Sequence, residues 1–158
     1  MASFAKALKI EVDDCVMGLG FPPPDAPPEL AQLERGEVFK KPTSDRARRV
    51  LQWWGTEYRR GQDPYYWLKS IDLSPDGVVI VDDVRFPNEG DFLRGLGGCL
   101  LQITGRSDEA VPAHASEETQ WLAGQVEGVI YNTGELKDLQ LLVQSFVRSY
   151  DAVGETSA

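Results

Sequence analysis

Residues Gly77–Gly90 read GVVIVDDVRFPNEG. Val78, Val79, Ile80 and Val81 form an apolar run of strand length, rich in β-branched residues, with no polar face. Such a run predicts a buried strand, apolar on both faces, as in a covered parallel sheet. The run ends in a burst of charge: Asp82, Asp83, Arg85 and Glu89. Pro87 suits the first turn of a following helix. A strand that ends this way delivers acids and a guanidinium to one point in space, where a phosphate or a metal is the natural client.

Outward from this stretch, strands and helices alternate. "CLLQITGR" and "GVIYNTG" read as two more strands, ending at Arg106 and at Asn132 and Gly134. "NEGDFLRGLG" is a helix stopped by Gly97 and Gly98. "SEETQWLAGQ" is a short helix. "LKDLQLLVQSFVRSY" is a longer one, with Leu136, Leu139, Val143 and Val147 facing inward. Towards the N-terminus, Ala2–Met17 carries Phe4, Leu8 and Val12 at helical spacing. "TSDRARRVLQWWGTEYRRG" starts on the capping residues Thr43, Ser44 and Asp45. It sets Val50, Trp54 and Tyr58 on one face and Gln52, Thr56 and Arg60 on another. Between the two lies a proline-rich loop, 20–42. The expected fold is α/β, with a mostly parallel sheet of three or more strands flanked by helices, in a single domain, 1–150. Residues 151–158 read as a flexible tail. Ligands of such sheets sit beyond the carboxyl ends of the strands.

The chain has 158 residues, 42 % hydrophobic and 26 % charged, the balance of a soluble globular domain. Neither a membrane-spanning run nor a signal-peptide core is evident. Two distant cysteines and one histidine argue against a disulfide scaffold and a zinc site, and for a reducing cytoplasm. The net charge of -9 disfavours direct nucleic-acid binding. Even so, seven lysines and arginines fall between Lys40 and Arg60, a concentration that suits a small anionic ligand.

Three stretches carry the candidate chemistry. "VVIVDD" has the form of a Walker B strand that presents an acid to nucleotide-bound magnesium. Asp83 could instead cap the next helix or pair structurally with Arg85. "QWWGTEYRRGQDPYYWL" crowds aromatic rings with Arg59 and Arg60. Rings stack on bases and guanidinium groups fork onto phosphates, or the segment is a hairpin that plugs its rings into the core. "ITGRSDEAVPAHASEE" places Arg106 at a strand end, where it would stabilise transferred phosphate charge. His114 reads as a structural histidine.

Taken together, "SFAKALK", "LQWWGTEYRR…DPYYWL", "DDVRFPNEGDFLRGLGG" and "ITGR…HASE" with "VIYNTGELKDL" resemble, in order, blocks of the bacteriophage-type deoxynucleoside monophosphate kinases. These are a branch of the P-loop nucleotide kinases. The resemblance implies a reduced P-loop kinase-like domain and transfer of the ATP γ-phosphate to a deoxynucleoside monophosphate (dNMP). It implies that Arg60 and Arg85 hold the acceptor phosphate, and that Gln52, Thr56, Glu57 and Trp67 shape the nucleoside site. Asp83 and Glu89 would orient Arg85 or the acceptor, and Arg106 would belong to a lid over ATP. ATP and Mg2+ are the implied cofactors. The cytoplasm is the implied compartment, that of the host cell for a phage-encoded protein.

The family opens with G-x-x-x-x-G-K-[DST]-T, which does not occur in this sequence, so that either the true start lies upstream or the loop has been lost; "MGLG" near Gly18 is a weak substitute blocked by prolines. ATP is therefore expected to bind weakly by the usual route. A sheet without its first strand would expose an edge, which a homodimer would cover. The rival readings are a non-catalytic dNMP-binding relative and a protein-interaction relative that has lost the phosphate loop.

Overall fold

The computed structural model describes residues 2–73, 79–105, 121 and 124–154. The described residues fall into two compact units, one up to Phe92 and one from Leu93 onward. Four α-helices and a two-stranded parallel sheet make a mixed helix–strand architecture.

In the first unit, helix α1 (Phe4–Val16) buries Phe4 and Val12. It ends at Met17, and Gly18 then turns with φ 74. The "MGLG" glycines thus end a helix and do not open a phosphate loop. The proline-rich segment is better ordered than its composition suggests. It contains two 3-10 turns, Pro28–Gln32 and Glu37–Phe39, and buries Leu30, Leu33 and Val38. Its anchor is Glu37, 5 % exposed. One oxygen accepts from Ser44 Oγ and Arg46 Nε, each at 2.7 Å, and the other from Arg46 Nη2 at 2.9 Å and the Glu34 amide at 3.0 Å. Ser44 also caps helix α2 (Asp45–Gln52) by accepting from the Ala47 amide. The same two residues that start the helix therefore tie the loop to it.

Helix α2 runs on into a π-helical segment, Trp53–Arg60. The wider turn keeps Trp54 and Gly55 buried while Thr56 and Arg60 stay accessible. A Cβ on Gly55 would lie 3.1 Å from Leu8 Cδ2, so the glycine serves close packing against α1. Trp67 follows in a 3-10 turn, Trp67–Ser70, and its indole Nε1 donates to the Gly55 carbonyl at 2.9 Å. Glu11 of α1 accepts from Trp54 Nε1 at 3.1 Å, Arg59 Nε at 2.5 Å and Tyr66 Oη at 3.1 Å. Arg59 also lies against the rings of Tyr58 and Tyr66. The aromatic segment is thus mainly the core plug.

The opening stretch departs from expectation. Val79 and Ile80 are exposed, and its described part makes one parallel bridge, Ala2 to Val81. Residues 74–78, the start of the expected strand, lie outside the described residues. Among the described residues, Val79 and Ile80 are exposed beside that single bridge, and a sheet of three or more strands is not formed. The charged end is firmly held. Asp83 accepts from Ser3 Oγ at 2.7 Å and from the amides of Phe4 at 2.9 Å and Ala5 at 2.6 Å. It caps α1 from 79 positions away in sequence. Helix α3 (Pro87–Gly95) starts at Pro87 and ends before Gly97, φ 81, whose neighbour Gly98 donates to the Leu93 carbonyl.

In the second unit, β1 (Leu101–Thr104) pairs in parallel with β2 (Gly128–Tyr131), Leu101 opposite Gly128 and Thr104 opposite Tyr131. A Cβ on Gly128 would meet Phe146 Cε2 at 2.6 Å, so helix α4 (Leu136–Gly154) lies against this face. The inward set on α4 is Leu139, Val143 and Phe146, while Leu136 and Val147 are exposed, unlike the expected set. A large ring at Phe146 fits the space that Gly128 leaves open, and so sets the rotation of the helix. The Glu135 amide donates to Asp138 Oδ2 at 2.8 Å, half of a capping box. Helix α4 runs past the expected boundary at 150 to Gly154. The helix expected from "SEETQWLAGQ" falls mostly outside the described residues.

Two outcomes test these anchors. Its bonds to Arg46, Ser44 and the Glu34 amide hold the Glu37 carboxyl down to about 2. The stability it contributes is therefore complete above the unfolded carboxyl value and lost as pH falls from about 4.5 towards 2. In acid titrations followed by circular dichroism, Glu37→Gln should remove that part of the wild-type slope. Asp83→Ala should cost about 1–2 kcal/mol through loss of the α1 cap, and Asp83→Asn less. Denaturant midpoints equal to wild type would show that α1 does not need the carboxylate.

Candidate functional site

A cleft of about 470 Å³ opens in the first unit. Thr56 and Arg60 of the π-helical segment form one wall, Pro64 and Tyr65 another, and Phe86 and Asn88 at the start of α3 a third. The aromatic block and the "DVRFPNE" block therefore meet, although more than twenty residues separate them in the chain.

Glu89 joins them. It is 1 % exposed. Its Oε1 pairs with Arg60 Nη2, and its Oε2 accepts from the Arg85 amide at 2.7 Å and the Phe86 amide at 3.0 Å. One carboxylate thereby satisfies the first free amides before α3 and fixes the guanidinium on the cleft wall. Arg60 also donates through Nη1 to the Pro64 carbonyl at 3.2 Å, and its guanidinium lies 3.9 Å from the centroid of the Phe86 ring. Asn88 Nδ2 donates to the same Pro64 carbonyl at 2.8 Å. A guanidinium carries five N–H donors. Those not spent on Glu89 and Pro64 remain for an anion in the cleft.

Burial pushes the Glu89 carboxyl up and the Arg60 guanidinium down from their ordinary values, and the pairing opposes both shifts. The ion pair therefore keeps both groups charged in a place that otherwise disfavours charge.

The candidate residues separate into groups. Thr56, Arg60 and Glu89 come together at the cleft. Gln52 stands four residues before Thr56, and its Nε2 is buried without a hydrogen-bond partner. Trp67 is buried with its indole N–H spent on Gly55, so it supports the π-helical segment from behind. Glu57 is exposed and does not line the cleft. Asp83 is engaged on α1. Arg85 contributes its amide to Glu89, while its side chain is exposed and does not line the cleft. Arg106 and His114 lie outside the described residues. Sequence reasoning passed over Tyr65, Phe86 and Asn88; the run "RFPNE" beside a helix start held the signal for the last two.

Among the described residues, Asp83 does not present an open carboxylate to the implied magnesium. Both oxygens of Asp83 are committed to α1, and among the described residues no group of three or more acidic, histidine or cysteine side chains is placed to hold a metal. Among the described residues, too, no helix is long and apolar enough to cross a membrane.

Comparison with known proteins adds one relationship. Over 52 residues the chain is 36 % identical to a protein of Acanthamoeba polyphaga mimivirus named "Putative deoxynucleotide monophosphate kinase". The match covers 32 % of this chain and 27 % of that protein, so the shared stretch is about a quarter of the relative's length. It supports a weak kinase-like relationship and gives no support to the bacteriophage branch in particular. No protein-family model matches the chain, and no solved structure matches it.

Arg60→Ala should unfold the first unit more readily, because it strands a buried carboxylate. The expected cost is roughly 3–5 kcal/mol, and it should grow as pH rises above the ordinary carboxyl range, where Glu89 is forced to ionise. Adding Glu89→Gln to Arg60→Ala should recover part of the loss. A double-mutant cycle with zero coupling would show that the pair does not hold the cleft together.

Proposed function

We propose that the chain is a deoxynucleoside monophosphate kinase-like protein whose first unit binds the acceptor nucleotide in the Arg60 cleft. The observation that carries this reading is Arg60 itself. It is a half-buried, oriented guanidinium with unspent donors on the wall of a cleft that also offers an exposed aromatic ring. A phosphate monoester carries nearly two negative charges and suits forked N–H donors. In this reading Arg60 takes the acceptor phosphate, Glu89 positions it, Tyr65 stacks on the base and Thr56 and Asn88 supply polar contacts. Gln52 belongs to the proposal through the sequence resemblance alone, since its buried amide does not line the cleft. The viral relative's name, over its short shared stretch, supports the same substrate class.

The finer elements of the reading are ATP as donor with Mg2+, a P-loop kinase-like sheet of three or more strands, a phage-type origin, a cytoplasmic setting and a homodimer through a sheet edge. They belong to the same proposal and rest on the sequence resemblance. A second reading, dNMP binding without phosphate transfer by this chain, is favoured by the commitment of Asp83 to α1. A coupled ATP-consumption assay with each dNMP separates the two.

Thermal shift measurements test the binding they share. At least one of the four dNMPs should raise the melting temperature. Tyr65→Ala should change the stability of the free protein by no more than about 0.5 kcal/mol, since the side chain is exposed. It should weaken dNMP binding by roughly 1–3 kcal/mol. Absence of a shift with every dNMP sinks the mononucleotide-site reading.

A further inference from the structure

The π-helical segment Trp53–Arg60 needs a cause. Its turn holds more residues than an α turn, its bonds span five residues, and such backbone is rare. At its end the Gly61 amide donates to the Thr56 carbonyl, five residues back. Trp53 and Tyr58 are also five residues apart, and their rings stack, with centroids 5.4 Å apart and planes within 6° of parallel. In an α-helix, residues five apart lie about 140° apart around the axis, so these rings would not meet face to face. A second pair repeats the spacing. Trp54 Nε1 and Arg59 Nε both donate to Glu11 Oε1, at 3.1 Å and 2.5 Å.

These contacts select the register. The edge-on contact of Trp54 with Tyr58, at 5.6 Å between centroids, joins residues four apart and would survive in an α-helix. The Trp53–Tyr58 stack would not. Both of its rings are half-buried, so the pair does more than fill a closed core. The segment ends on Arg60, whose guanidinium pairs with Glu89 and lies 3.9 Å from the centroid of the Phe86 ring. Every residue after Trp53 is turned relative to an α-helix that continued α2. The register therefore sets the direction in which Arg60 leaves the segment.

We propose that Trp53 and Tyr58 are positioning residues for Arg60: their stack selects the π register, and the register holds the guanidinium on Glu89 and on the cleft wall. Neither ring lines the cleft, so both act through Arg60. Glu11 fixes the same register against α1. The role of the stack in nucleotide binding rests on the reading of the Arg60 cleft as the acceptor site; its role in placing Arg60 does not.

Two readouts on the full chain test the proposal. The first needs no nucleotide: the NMR signal of the Arg60 Nε–H, which the Phe86 ring current shifts upfield. Tyr58→Leu and Trp53→Leu, which keep apolar bulk and remove the stack, should each move that signal towards the position of a free arginine. Tyr58→Phe, which keeps a ring, should leave it in place. The second readout is the affinity for each of the four dNMPs by calorimetry. Either leucine variant should weaken binding about 3–10-fold, Tyr58→Phe should retain it, and the double leucine variant should lose no more than either single one, because both remove the same stack. If the wild type binds no dNMP, the acceptor-site reading fails, and the Arg60 signal alone decides the role of the stack. If Tyr58→Leu does not fold, Trp53→Leu decides it. The proposal is overturned if a folded leucine variant leaves the Arg60 signal in place, whatever happens to its melting temperature. It is also overturned if Tyr58→Phe loses as much as Tyr58→Leu, or if the losses of the two single variants add in the double.

Discussion

The first unit depends on how Glu89 is spent. It is a carboxylate almost without solvent contact, and a charge in that position is tolerated only when it is paired and hydrogen-bonded. Its two oxygens receive the Arg60 guanidinium on one side and two backbone amides before α3 on the other. Those amides precede the first turn of a helix and would otherwise lack partners. One side chain thus satisfies the start of α3, neutralises Arg60 and holds the π-helical segment against "RFPNE". The cleft is the space left between the elements that Glu89 joins.

Asp83 performs the matching task for α1. The two acids sit six residues apart on one segment, and each serves the start of a different helix. The segment that reads as a strand delivering acids to a ligand is therefore first a bracket between helices. That changes the chemistry open to it. An acid whose oxygens already accept three donors has little left to offer a magnesium ion.

The two arginines expected to hold one phosphate have been separated. Arg60 is half-buried and faces the cleft; Arg85 is exposed and does not line it. Glu89 binds the side chain of one and the backbone of the other. The π-helical turn adds to this arrangement, because it buries Trp54 and Gly55 while leaving Thr56 and Arg60 accessible, as such turns often do at functional sites.

Several features were legible in the residues themselves. Helical spacing and capping residues located α1, α2 and α3, Gly97 marked the end of α3, and β-branched runs located β1 and β2. These depend on local backbone chemistry, which a neighbour in sequence decides. The blocks that meet at the cleft were also legible, because arginine, asparagine and aromatic residues beside a helix start suit an anion. Tertiary structure alone decided the rest. Whether Val79 and Ile80 are buried depends on strands beside them, which the run does not contain. Whether Asp83 meets a ligand or a helix depends on α1, whose amides lie 79 positions away. The face that α4 buries was set by the vacancy at Gly128, into which Phe146 fits. In each case local pattern specifies which groups are available, and only packing specifies which of them are already spent.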